Sequence, residues 1–224
     1  MKRSEINQAI RWMEEKINQC RFALPPFCHY TPKDWQDKGS DHDEIRLAGL
    51  GWDITDYGLG DFKQRGLALI TLRNGYPGSA KTYAEKLLFM IDGQTAPMHY
   101  HYHKMEDIIN RGGGNVLITL YPKTDRDQLG SDDITISLDG VKKIVPAGTT
   151  ITLTPGQSIS LPRYLYHDFA VEPGTGSVLL GEVSMVNDDE LDNHFLEPIG
   201  RFPTITEDEP PYRLLCTEYP EASD

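Results

Sequence analysis

His99, His101 and His103 occupy alternate positions in the stretch GQTAPMHYHYHKMEDIINRGGG, and Glu106 follows close behind them. If this stretch is a strand, alternate side chains face the same way about 6.6 Å apart, so two neighbouring imidazoles can close on one ion. The outer pair would stand about 13 Å apart, and all three on one metal would require a bent strand. Imidazoles combined with a carboxylate suit manganese, iron, cobalt, nickel or zinc, whereas magnesium and calcium take cages of oxygen alone. Downstream, in PGQSISLPRYLYHDF, a turn at Pro155-Gly156 precedes a strand that Pro162 breaks, and His167 opens the next one. Glu182, in VLLGEVSM, adds a different signal. Along that strand Leu180, Glu182 and Ser184 share one face, while Leu179, Gly181 and Val183 share the other. A carboxylate amid apolar neighbours is costly unless it is functional or paired, for instance with a buried arginine. In YAEKLLFMI, Lys86 shares a face with Leu88 and Met90, and Glu85 shares the other with Leu87 and Phe89. One of the two should point inward, but alternation does not say which.

These residues need a scaffold, and the pattern of turns supplies one. From about Leu50 the apolar period is two, and short β-like runs follow from Gly66 to Met185, including Ala84–Ile91, Met98–His103, Asp168–Glu172 and Ser177–Met185. Turns at Asp139-Gly140, Pro146-Ala147-Gly148, Pro155-Gly156 and Pro173-Gly174 separate many of them, and Asp139-Gly140 is a two-residue hairpin signal. Many short strands with frequent turns predict an all-β sandwich or barrel around one core. Ahead of it, Ser4 can cap a helix in which Ile6, Ile10, Met13 and Ile17 form a stripe flanked by Trp12. That helix should end before Pro25-Pro26, and Thr31-Pro32 should start a second, short one. The expected organisation is an N-terminal helical arm over residues 1–49, a barrel over 50–186 and an acidic tail over 187–224. Phe195, Phe202, Tyr212, Leu214 and Leu215 are the points expected to pin that tail to the barrel.

Bulk composition narrows the partners. The 224 residues carry 34 acidic against 22 basic side chains, a formal charge of −12. That balance argues against nucleic-acid phosphate and anionic lipid and suits neutral or cationic ligands. MKRSEINQAI has no apolar run after its basic tip, so neither a signal peptide nor a membrane span is expected. The three cysteines, Cys20, Cys28 and Cys216, lack metal or redox spacing, which fits a reducing cytoplasm.

The spacing of the first cluster resembles a known motif. Gly93, five residues, His99-x-His101, four residues, Glu106 and a following glycine resemble the first motif of the cupin superfamily. Gly156, five residues, Pro162 and then His167 resemble its second motif, with departures at Tyr164, where glycine is usual, and at Val171, where asparagine is usual. The resemblance implies a cupin jelly-roll barrel with His99, His101, Glu106 and His167 as metal ligands and His103 as a pocket group. A pairing of His101 with His103 would leave only two residues before Glu106, a tight bend for a carboxylate that must return to the metal.

Longer strings are more specific. EKLLFMIDGQTAPMHYHYHKMEDIINRGGG and LLGEVSMVNDDELDNHFLEPIGRFPTITEDEPP closely resemble the D-lyxose ketol-isomerase family of metal-dependent cupins, a likeness that extends over most of the chain. It implies interconversion of D-lyxose and D-xylulose, with D-mannose and D-fructose as a slower pair, and a preference for Mn²⁺. In such chemistry a divalent metal polarises O1 and O2 of the open-chain sugar, a base moves a proton between C2 and C1, and a second group shuttles the hydroxyl proton. Glu182 is the candidate base and Lys104 the candidate acid or O1 holder. Lys86, His103, Arg111, Asp188, Asp192 and Arg201 are the candidates for holding sugar hydroxyls. The run Asn187-Asp188-Asp189-Glu190 is read most simply as a solvated turn, and Gly112–Gly114 as a turn needing unusual backbone angles. His29, His42 and His194 are read as structural or exposed. By analogy with cupins of this size, a homodimer is expected. An iron dioxygenase, a phosphosugar isomerase and a non-catalytic sugar-binding cupin remain the rivals, the second of which would need a basic cluster for phosphate.

Overall fold

The computed structural model describes residues 1–188 and 191–223. The helix α1 (Arg3–Gln19) presents Ile6, Ile10, Met13 and Ile17 to a core, as the stripe predicts. Its start differs from the expected one: Ser4 lies inside the helix, and its N–H and hydroxyl donate to Asp208 of the tail. The short helix α2 (Pro32–Gln36) begins on Thr31, whose Oγ accepts from the Asp34 N–H, and α3 (Asp43–Leu47) leads into the barrel.

Thirteen strands then build two antiparallel sheets among the described residues. They are β1 (Gly51–Thr55), β2 (Leu67–Arg73), β3 (Tyr83–Met90), β4 (Thr95–His101), β5 (Glu106–Gly113), β6 (Val116–Pro122) and β7 (Ile134–Leu138). After these come β8 (Val141–Val145), β9 (Thr149–Leu153), β10 (Ser158–Leu161), β11 (Leu165–Val171), β12 (Val178–Met185) and β13 (Asn193–Phe195). The larger sheet runs β1-β2-β3-β12-β5-β10-β7-β8 and the smaller β13-β4-β11-β6-β9. This is the all-β, two-sheet architecture expected from the turns and motifs, with helices at its N-terminal end.

Alternation along the central strands divides two cores. Leu88 and Met90 of β3 and Val178 and Leu180 of β12 face the smaller sheet, whereas Leu87, Phe89 and Leu179 face outward under α1. The larger sheet is therefore apolar on both faces over much of its width, and α1 shields the outer one. The tail completes that cover chiefly through charge. Arg3, almost fully buried, bonds both Glu207 (2.6 Å) and Glu218, and Arg213 bonds Glu14. Of the expected apolar pins, Leu215 is buried and Phe195 and Tyr212 pack against the cores, but Phe202 is 39% exposed.

Turn chemistry fixes the ends of the strands. Asp139 (φ 48°) and Gly140 (φ 80°) both take the left-handed backbone between β7 and β8, as a two-residue hairpin requires. The glycine block is not a free turn, because Gly112 and Gly113 end β5 opposite Leu179 and Val178. A Cβ on Gly113 would lie 2.1 Å from the Ser177 carbonyl oxygen, so this approach of β5 and β12 admits no side chain. No helix among the described residues is long and apolar enough to cross a membrane. Replacing Arg3 by Met removes the shared partner of two tail carboxylates and should cost about 2 kcal/mol of stability. Urea unfolding checks this, and an unchanged midpoint would mean that the clamp contributes nothing net.

Candidate metal centre and active site

The strand bearing the histidines ends at His101, two residues earlier than alternation suggested. His99 and His101 therefore share the inner face, while His103 sits in the bend beyond, exposed. Antiparallel register then sets His167 of β11 directly opposite His99. One ligand-capable atom from each of His99, His101 and His167 lies within 4.8 Å of the others. Glu106, the first residue of β5, brings Oε1 to 3.1 Å from His167 Nε2 and 3.5 Å from His101 Nε2. In the turn before β11, Tyr164 itself takes the left-handed backbone that favours glycine (φ 63°), and its N–H donates to the His101 carbonyl at 3.0 Å.

The imidazoles are oriented for coordination. His99 Nδ1 bonds the Pro97 carbonyl and His167 Nδ1 bonds the Leu165 carbonyl, each at 2.9 Å. A carbonyl only accepts, so both Nδ1 atoms carry the proton and both Nε2 atoms offer a lone pair. His167 Nε2 and both ring nitrogens of His101 are buried without a hydrogen-bond partner. Orphaned buried nitrogens converging with a carboxylate are the arrangement that a first-row transition metal satisfies. Loss of water, reinforced by the neighbouring imidazoles, pushes the His99 pKa well below 6.5. Burial, then the charge of Lys104, lowers that of His101 too, although Glu106 pulls the other way.

A buried relay of charge continues from the centre into the cavity. Lys104 Nζ lies 2.7 Å from Glu106 Oε2 and 2.8 Å from Glu182 Oε1, all three groups within 3–4% of full burial. Burial opposes the ammonium charge of Lys104, but the two carboxylates outweigh it and raise its pKa. Burial would likewise push Glu106 up, yet Lys104 and His101 hold it well below the usual carboxylate range. Glu182 pairs across the sheet with Lys86 on β3, and their charged ends are 4.0 Å apart. The partner of Glu182 is thus lysine rather than arginine, and Lys86 rather than Glu85 is the inward residue. Glu85 faces outward and bonds Arg73.

These groups line a small cavity of about 50 Å³ with Tyr57, Leu67, Leu69, Leu88, Phe169, Asn193, Phe195 and Arg201. Arg201 reaches it while bonding Asp53 Oδ2 at 2.5 Å. The strand β13 pairs with β4 so that Asn193 stands beside His101 and Phe195 beside His99. Four sequence candidates stand apart from the cavity. His103 points to solvent, and Arg111 is exposed on the outer face, lying over Gly181. Asp188 is exposed and lines a separate outer cleft, whereas the carboxylate of Asp192 is buried but bonds the backbone N–H groups of His103 and Lys104. Asp189 and Glu190 lie outside the described residues. His194 is structural, bonding the Tyr102 hydroxyl and stacking on Tyr100. Sequence reasoning missed Tyr57, Asn193 and Asp53. Asp53 carries the same signal as Glu182, an acid inside the apolar run GWDIT, but β1 was not among the expected strands.

The family model described as D-lyxose isomerase matches residues 1–219. The D-lyxose/D-mannose isomerase of Serratia proteamaculans is 46% identical over 223 residues, 98% of each chain. That of Escherichia coli O157:H7 is 45% identical over the same span. Among solved structures, L-ribose isomerases of Cellulomonas parahominis with L-psicose (15% identity, TM-score 0.58) and of Acinetobacter sp. DL28 with L-ribose (14%, 0.59) share the fold. Each of these alignments covers 92% of this chain and 98% of the other.

Two outcomes test the centre. His99→Ala and His167→Ala should each weaken Mn²⁺ binding at least 100-fold by calorimetry, whereas His103→Ala should leave it within threefold. Loss of the ion from His103→Ala alone would overturn the ligand set. Because burial lowers the His99 and His101 pKa values in the fold, the unfolded chain binds more protons than the folded one as the pH falls through the ordinary imidazole range of about 6.5. Chelator-treated protein should therefore lose stability in urea between pH 7.5 and 5.5, and His99→Gln should flatten that slope.

Proposed function

The chain belongs to the D-lyxose isomerase family and is an aldose–ketose isomerase, and from that premise we propose that it interconverts D-lyxose with D-xylulose and, more slowly, D-mannose with D-fructose. A divalent metal held by His99, His101, Glu106 and His167, with Mn²⁺ preferred, would supply Lewis-acid polarisation of two adjacent sugar oxygens. Glu182 takes the proton from C2 of the open-chain aldose, leaving an enediolate. Lys104 gives a proton to O1, and Glu182 returns the carbon-bound proton to C1. As C2 becomes the carbonyl, the O2 proton passes to Lys104, which restores both groups. Lys86, Asn193 and Arg201 are suited to the remaining hydroxyls.

The single observation that carries this reading is Lys104 Nζ, bonded at once to Glu106 and to Glu182. A base and a proton shuttle stand in contact, and the shuttle touches the carboxylate of the metal centre. The ion pair of Arg201 with Asp53 supports an unphosphorylated substrate. A phosphate would have to compete with that carboxylate.

The test is metal-stripped protein restored with Mn²⁺ and assayed with D-lyxose, D-mannose and their phosphates for ketose formation. The free sugars should react, D-lyxose fastest, and no metal-dependent ketose from any of them would sink the reading. Glu182→Gln should lower kcat by about 10³ while leaving Mn²⁺ affinity within threefold. Retention of more than a tenth of the wild-type kcat would remove Glu182 as the base.

A further inference from the structure

Asp192 is nearly fully buried, yet it does not reach the cavity as a sugar ligand. Its Oδ1 accepts from the His103 N–H at 2.6 Å and its Oδ2 from the Lys104 N–H at 3.0 Å. Its own carbonyl accepts from the Tyr102 N–H at 3.3 Å. One residue of the tail thus holds three consecutive amides of the bend between His101 and Glu106. A bend held by its amides fixes where the Lys104 side chain begins, and so whether Nζ can sit between two carboxylates.

The three imidazoles supply the second half of the case. His99 and His167 each have a backbone carbonyl two residues earlier that orients Nδ1. His101 ends its strand and has no such partner, and its Nδ1 is buried without a hydrogen bond. The acidic oxygen facing that atom is Asp192 Oδ2, 4.0 Å away. Metal-binding histidines use the second nitrogen to bond a carbonyl or carboxylate, which fixes the tautomer and strengthens the ligand.

We propose that Asp192 is a positioning residue that orients His101 as a metal ligand and sets Lys104 between Glu106 and Glu182, joining the tail to assembly of the centre. The inference rests on the metal-centre reading above but does not depend on which sugar is turned over. Asp192 touches no reacting atom; it acts through the two residues it holds.

Mn²⁺ affinity by calorimetry, on the full chain freed of metal, tests the first role, with Asp192→Asn and Asp192→Ala as variants and Asn74→Ala as control. Asn74 ties the same tail through two hydrogen bonds to the Asn187 backbone and has no part in the centre. Asp192→Asn should weaken Mn²⁺ at least tenfold and Asp192→Ala further, with Asn74→Ala within threefold of wild type. The second role is read from steady-state kinetics at saturating Mn²⁺, where kcat should fall at least tenfold with KM changed less than threefold. A loss of affinity below tenfold in Asp192→Asn, or an equal loss in Asn74→Ala, overturns the proposal in favour of simple tail anchoring. If Asp192→Ala does not fold, Asp192→Asn decides alone. Altered metal affinity in a protein that isomerises none of the sugars would sink the isomerase reading and leave this one standing.

Discussion

Everything in the inner half of the barrel answers to one constraint, the burial of Glu106, Lys104 and Glu182 in contact with one another. Removing a single one of these charges from water costs several kcal/mol, and an unpaired one would dominate the stability of the domain. The ammonium between two carboxylates meets that cost, and Lys86 beside Glu182 brings the four charges to zero. Arg201 and Asp53 cancel in the same way at the cavity's other side. With the buried Asp192 carboxylate counted, 4.0 Å from His101 Nδ1, the fixed charge around the histidines is −1, and a divalent ion would turn it net positive. A site so composed favours a substrate that develops negative charge only during the reaction, which is the case for an enediolate.

Register converts this constraint into geometry. Glu182 and Lys86 are direct partners across β12 and β3, and Ser184 and Glu106 are partners across β12 and β5. On the smaller sheet His99 faces His167 across β4 and β11. A slip of one residue in any of these pairings would turn that side chain to the outer face of its sheet, which on the larger sheet lies under α1. The apolar positions that bury Leu88, Met90, Val178 and Leu180 therefore also set the chemistry, because they fix the alternation on which Lys86 and Glu182 depend.

Spacing was informative wherever it followed from regular backbone. Alternation on β12 separated Glu182 and Ser184 from Val183, and the cupin spacing singled out the four groups that meet in the fold. It failed where the chain stops being regular. His103 keeps the two-residue period on paper, but the strand ends at His101, so the third histidine turns outward. Arg111 falls where the pairing of β5 and β12 shifts between Leu179 and Leu180, and nothing local marks that shift. The choice between Glu85 and Lys86 is invisible to alternation, since either charge could be buried; the partner that settles it, Glu182, lies far along the chain. Asp192 reads as one more acid in an acidic tail, and only the fold gives its carboxylate the amides of residues 103 and 104.

That tail bears on substrate choice as well. Asn193, Phe195 and Arg201 supply one wall of a cavity whose other walls come from the barrel, so part of the site's shape is set outside the cupin motifs. The barrel end of the cavity holds Lys104, Glu106 and Glu182 beside the histidines, and in the proposed reaction these would serve C1 and C2 whatever the length of the sugar. On that proposal, discrimination between a five-carbon and a six-carbon chain would fall to the groups near O3 and beyond, for which the tail's side chains are the candidates. Asn193 and Phe195 sit on a three-residue strand paired to the histidine strand itself. That pairing ties their backbone to that of His101 and His99, so a shift of the tail strand would also be felt at the histidines. Under the proposed function, the shape of the cavity at the tail and the placing of the histidines are therefore coupled through the pairing of β13 with β4.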